Sequence, residues 1–149
     1  MTPKLSSLFG SASIWYWRVV PPKVGHDDQY FWDGVDEGKL LVRACANCAR
    51  LQHPPSPMCP TCGSVDWTVQ QLSGRATVHS WIVSRHPTQA DDAPRIVVLL
   101  DLEEGLRLVS NLQGVDVDGV RNGMAVEAIF VDVDGVRLPQ FQPVRGSDH

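Results

Sequence analysis

Lysine is nearly missing from this chain. Only Lys4, Lys23 and Lys39 occur, all within the first 39 of 149 residues. Residues 69–149 carry seven arginines, no lysine and eleven acids. A surface for nucleic acid needs clustered basic side chains to neutralise phosphates, and none is present, so no nucleic-acid partner is expected. Base-stacking aromatics are equally scarce there, with only Trp81, Phe130 and Phe141. Long apolar runs are also lacking: nothing approaches the ~20 residues of a membrane helix. The most apolar stretch near the start, Ile14 to Val20, is interrupted by Arg18, so neither a signal peptide nor a membrane partner is expected, and a cytoplasmic protein is the default. Phosphate-binding glycine motifs are missing as well. What remains is the composition of a soluble globular chain, 43% hydrophobic and 20% charged.

Four cysteines are present, as Cys45-x2-Cys48, ten residues, Cys59-x2-Cys62. Two residues between cysteines let both sulfurs of one turn face one ion, and two such turns close a four-thiolate site. This spacing predicts one structural zinc ion; an iron centre of the rubredoxin kind uses the same ligands. A closed site leaves no position for water, so it holds structure and activates nothing. Such turns favour glycine after the second cysteine, where φ tends positive. Gly63 obeys this; Ala49 does not, which predicts a strained first knuckle.

Around the cysteines the pattern divides the chain into an arm and short helix (1–39), a zinc ribbon (40–68) and a barrel (69–149). The arm is rich in Ser, Pro and Gly and contains Trp15-Tyr16-Trp17. These three, with Phe31 and Trp32, are candidates for a partner interface, since aromatics bury large area at low entropic cost; packing on the chain's own core is the rival reading. Residues 27–37 read as a helix capped by Asp27 or Asp28 and ended by Gly38, with Phe31, Trp32 and Val35 on one face. Downstream, five strands are expected: Ala76–Ser84, Ile96–Leu102, Leu106–Leu112, Ala125–Val133 and Val136–Val144. The segments Glu103-Glu104-Gly105 and Asp134-Gly135 are hairpin turns. Five short antiparallel strands suit a small closed barrel of the OB type.

Catalytic groups are not evident. All four cysteines are committed to metal, and the histidines lie in no triad pattern. His53 is expected at the surface, or supporting the metal ligands from behind. His79 is expected on the barrel exterior. Arg85 and His86 open the first long barrel loop and are candidates for bordering a substrate channel. The acids Asp101, Glu103, Glu104, Asp132 and Asp134 sit at hairpin ends as turn-formers and solubilising charges.

The order of motifs resembles a known family. Phe31-Trp32 and Glu37-Gly38-Lys39-Leu40 lead into the first cysteine pair, and His53-Pro54-Pro55 precedes Cys59-Pro60-Thr61-Cys62-Gly63. Ser73-Gly74-Arg75-Ala76-Thr77-Val78, Gly123-Met124-Ala125-Val126 and Leu138-Pro139-Gln140-Phe141 follow. This resembles the acyl-CoA-associated family of domain-of-unknown-function thirty-five, a rubredoxin-like zinc ribbon joined to an OB fold. The likeness covers about residues 28–144, departing at Ala49 and Ala76 where glycine is usual. It implies an accessory subunit for thiolase-fold or lipid-transfer-protein-like enzymes acting on acyl-CoA, including retro-aldolases that remove a steroid side chain as its CoA thioester. A heterotetramer built on the partner's dimer is the implied assembly. A nucleic-acid-binding module and a free-standing acyl-CoA-binding protein are the competing readings.

Overall fold

A computed structural model describes residues 21–85 and 93–146 of the chain. Trp15, Tyr16, Trp17 and His86 lie outside the described residues.

The first element is helix α1, Gln29–Asp36, two residues shorter at its start than expected. Asp28 is its N-cap residue, but its side chain does not cap. The Asp28 carboxylate instead accepts a hydrogen bond from the Gly25 amide at 2.6 Å, drawing the incoming chain against the helix start. Phe31 and Val35, four apart, point into the core, and Val35 is fully buried. Gly34 is required between them: a Cβ there would lie 2.6 Å from the Leu41 side chain. The helix stops as expected at Gly38, whose φ is +73°. The Lys39 amide bonds to the Gly34 carbonyl at 2.7 Å and the Gly38 amide to that of Val35 at 3.0 Å, which satisfies the last carbonyls.

Three short strands follow: β1 Leu41–Cys45, β2 Leu51–Gln52 and β3 Trp67–Gln71. They pair antiparallel in the order β2-β1-β3. Strand β3 runs through residues 68 and 69, where the pattern reading divided ribbon from barrel; only its pairing with β1, Leu41↔Gln71 through Cys45↔Trp67, reveals it. The Arg43 guanidinium lies over Tyr30 at 5.4 Å and Trp67 at 5.9 Å, tying helix to sheet.

The remaining strands are β4 Arg75–Ser84, β5 Arg95–Leu102, β6 Arg107–Leu112, β7 Ala125–Val133 and β8 Val136–Pro143. All five lie within a residue of the expected bounds. They close a barrel in the order β4-β5-β6-β8-β7, with β7 pairing back to β4. This is the OB arrangement, and β6 meets β8 in parallel at Leu112↔Phe141. The β7–β8 hairpin turns on Asp134 and Gly135, both at positive φ, as a two-residue turn between right-twisted strands requires.

The faces of β4 do not alternate evenly, because the register shifts between Val78 and Ser80 around His79. Before this bulge Ala76 and Val78 point inward; after it Trp81 and Val83 take that side and Ile82 is exposed. The core is continuous across the described residues. Phe31, Val35, Leu40, Val42 and Leu72 from the helix and ribbon join Val78, Val98, Leu100, Val126 and Phe141 from the barrel in one cluster.

Candidate metal centre

The four cysteines stand on two matching turns. In the first, the Cys45 amide bonds to the Arg50 carbonyl and the Ala49 amide to the Cys45 carbonyl, each at 2.9 Å. In the second, the Cys59 amide bonds to the Ser64 carbonyl at 2.8 Å and the Gly63 amide to the Cys59 carbonyl at 2.9 Å. Each turn therefore needs a left-handed residue at the same place. Gly63 supplies it at φ +73°, and Ala49 is forced there at φ +60°. The predicted strain in the first knuckle is present, at the ~1–2 kcal/mol an L-residue costs in that region. Arg50 Nη1 donates to Thr61 Oγ1 at 2.6 Å and bridges the turns.

Cys45 and Cys59 are buried and Cys48 and Cys62 exposed. Cys45 and Cys62 sulfurs lie 3.5 Å apart, Cys48 and Cys59 sulfurs 3.6 Å apart, and all four are within 4.8 Å of one another. A tetrahedron with Zn–S bonds of ~2.3 Å has sulfurs about 3.8 Å apart, so the set fits such an ion. The electrostatics agree. The Cys62 amide, with that of Thr61, lowers the Cys59 pKa against the loss of solvation. The Asn47 side chain and the Ser64 amide bring Cys62 down to about 6. Cys48 moves the other way, up to about 12: the Arg50 amide favours its thiolate, but desolvation and the three neighbouring sulfurs outweigh that. Cys48 therefore keeps its proton until a cation displaces it, so metal uptake releases protons.

The other sequence candidates are scattered. Arg85 is exposed just past the end of β4. Phe31 is buried in the chain's own core, leaving little of it for a partner, whereas Trp32 is half-buried and meets Phe31 edge-on at 5.2 Å. Asp101 is more than a solubilising charge. It accepts from Arg107 Nε at 2.8 Å and pairs with His79 Nδ1 at 2.8 Å, across three strands on the barrel exterior. Arg107, then His79, hold its carboxyl below the usual range. Glu103 pairs with Arg75 at 3.0 Å, and Glu104 accepts from the Ser73 amide at 2.6 Å, anchoring the hairpin to the ribbon–barrel junction. His53 was expected at the surface or behind the metal ligands. Instead it stacks on Phe31, and burial lowers its pKa. No spacing signal could have found this, because its neighbours come from the helix and from β6 and β8.

Comparison with known proteins agrees with this architecture. Residues 32–68 match the ChsH2 rubredoxin-like zinc ribbon family model, and residues 69–131 match that of the ChsH2 C-terminal OB-fold domain. A probable enoyl-CoA hydratase alpha subunit of Thermomonospora curvata is 38% identical over 124 residues, covering 82% of this chain and 39% of that protein. The 3-oxo-4,17-pregnadiene-20-carboxyl-CoA hydratase alpha subunit of Mycobacterium tuberculosis is 34% identical over 126 residues, covering 84% and 40%. The chain thus spans about two-fifths of the length of these two relatives. A DUF35 domain-containing scaffold protein of Methanothermobacter thermautotrophicus is 33% identical over 96 residues, covering 61% of this chain and 71% of that one. Among solved structures, a chain of the Ltp2-ChsH2(DUF35) aldolase matches with a TM-score of 0.75 and 37% identity, covering 82% of this chain and 98% of that one.

Proposed function

The chain belongs to the DUF35 family of zinc-ribbon and OB-fold proteins, and from that premise we propose that it is a non-catalytic subunit of an acyl-CoA-processing complex. In this reading it holds one structural zinc ion at Cys45, Cys48, Cys59 and Cys62. It docks on a thiolase-fold, lipid-transfer-protein-like enzyme as a heterotetramer built on the partner's dimer. The reaction of the complex is retro-aldol cleavage of a steroid-type side chain carried as its CoA thioester. The observation that carries the reading is the likeness to the aldolase chain, at 37% identity over 98% of that chain.

The chemistry is consistent with a dependent subunit. Breaking a carbon–carbon bond beside a thioester needs a placed acid or base and donors for the developing oxyanion. Among the described residues every cysteine belongs to the metal set. His79 is engaged by Asp101 on the exterior, and His53 has no neighbouring nucleophile in its hydrogen bonds or ring contacts. The partner supplies the reacting groups in this reading, with Trp32 and the Trp15-Tyr16-Trp17 segment at the interface and Arg85 and His86 bordering the channel. The test is purification of tagged chain at native expression level. A thiolase-fold subunit is expected to come with it in stoichiometric amount. A chain that emerges alone and monomeric at micromolar concentration overturns the proposal.

A further inference from the structure

A groove separate from the metal site runs between α1, the His53-Pro54-Pro55 segment and strands β6 and β8. It encloses about 400 Å³. Its walls are flat and apolar: Phe31, Trp32, Pro54, Pro55 and Leu138. Val109 stands exposed at its edge. Polar side chains between β6 and β8 are turned to the chain itself. Ser110 Oγ donates to the Pro139 carbonyl at 2.9 Å, and Gln140 accepts from Gln113. A surface of this kind fits aromatic rings and offers little to a polar ligand.

The chain leads its own aromatic segment towards this groove. Asp28 lines it, and the Asp28 carboxylate holds the Gly25 amide at 2.6 Å, so the incoming chain runs beside the groove. Trp17 stands eight positions before Gly25. Eight extended residues span about 26 Å, several times the width of so small a cavity. Pro21 and Pro22 lie between, and each proline disfavours helix for the residue before it. Side chains alternate along an extended stretch, so Trp15 and Trp17 share a face and Tyr16 takes the other. The charges match as well. Residues 1–26 contain Lys4, Arg18 and Lys23 and no acid; residues 27–37 contain Asp27, Asp28, Asp33, Asp36 and Glu37 and no base. Arg43 and Lys39 take Asp27 and Glu37, which leaves Asp28, Asp33 and Asp36 without an ion pair among the described residues.

We propose that this groove is the seat of the chain's own segment 14–20. Trp15 and Trp17 lie on Phe31, Trp32 and the two prolines, and Arg18 sits beside the acids of α1. Tyr16 is left on the outside. Seating covers apolar surface on both sides at once, the rings of the segment and the walls of the groove. The inference stands without the accessory-subunit reading and refines it. An enzyme partner then meets Tyr16 and the outer face of the seated segment, not an open groove.

The test is nuclear magnetic resonance on the full metal-loaded chain, without a partner. Overhauser contacts are expected from the indole protons of Trp15 and Trp17 to the side chains of Trp32, Pro54 and Pro55. Replacing both, Trp15→Ala with Trp17→Ala, should remove these contacts and lower the melting temperature by about 5 °C, with metal content retained. Tyr16→Ala should leave the contacts and the melting temperature as they are. Indole contacts to none of the groove residues overturn the proposal, and so does an unchanged melting temperature in the double variant. Contacts seen only between differently labelled copies in a mixed sample put a second chain's segment in the groove. Contacts that form only when the enzyme partner is added assign the segment to a shared interface. Either result overturns seating within one chain. Co-purification is read separately. A chain with a seated segment that takes no partner keeps this inference and loses the accessory-subunit reading; a chain that takes its partner with the segment unseated loses this inference alone.

Discussion

The zinc ribbon and the barrel are held together by different means. Between Cys48 and Cys62 the one buried residue is Cys59. Strand β5 by itself buries Ile96, Val98, Leu100 and Leu102. The ribbon turns have almost no hydrocarbon to remove from water, so burial does not hold them, and in the proposed reading metal–sulfur bonds do. The barrel has a packed interior, so its order depends on close contact. Leu40, Val42 and Leu72 join both regions into one core, which lets each report on the other.

The largest effect should come from removing the metal. Apparent zinc binding in ribbon-sized modules is worth ~10–16 kcal/mol, and that free energy is also folding free energy. Cys59→Ser, or a strong chelator, should abolish stoichiometric zinc and melt the two turns, seen as loss of amide dispersion for residues 45–66. Chain that stays ordered there without metal would remove the basis of the comparison. Next comes the barrel. Phe141 is fully buried where β8 meets β6, so Phe141→Ala should cost about 3–5 kcal/mol in denaturant unfolding. Zinc content of the folded fraction should not change.

A smaller effect sharpens the comparison within the ribbon. Ala49 and Gly63 occupy equivalent left-handed positions, so Ala49→Gly should stabilise by about 1 kcal/mol and Gly63→Ala should destabilise by a similar amount. Equal and opposite shifts in melting temperature would show that the two turns are interchangeable in strain. The smallest effect concerns the exposed Asp101. Its lowered pKa means that its contribution is present above the ordinary carboxylate pKa and is lost as pH falls through the lower folded value. Asp101→Asn should therefore lower the melting temperature slightly at pH 7, and the difference should vanish in strong acid. A difference that grows as pH falls would contradict the assigned pairing with Arg107 and His79.

Much of this architecture was legible in local signals. The strained knuckle at Ala49 could be read from one missing glycine, because the turn repeats at Gly63. The Asp134-Gly135 hairpin and the Gly38 helix stop follow from the same freedom at positive φ. Other features had no local signal. Strand β3 is too exposed to show a period, and only its partner β1 makes it a strand. The bulge at His79 reverses the inward face of β4, which a count of alternating residues cannot anticipate. Asp28 looked like a helix cap and is instead taken by the Gly25 amide.

The sequence alone determined the metal set, since two-residue spacing brings each pair of sulfurs together within one turn, whatever the rest of the chain does. It also determined the number and bounds of the barrel strands, through alternation and turn residues that act over a few positions. The tertiary structure decided what faces what. The groove at His53 exists only because α1, the segment after the first knuckle, and strands β6 and β8 meet there, over separations of tens of residues. The lowered pKa of His53 likewise depends on that meeting, because burial is a property of the assembled surface and not of any short stretch of chain.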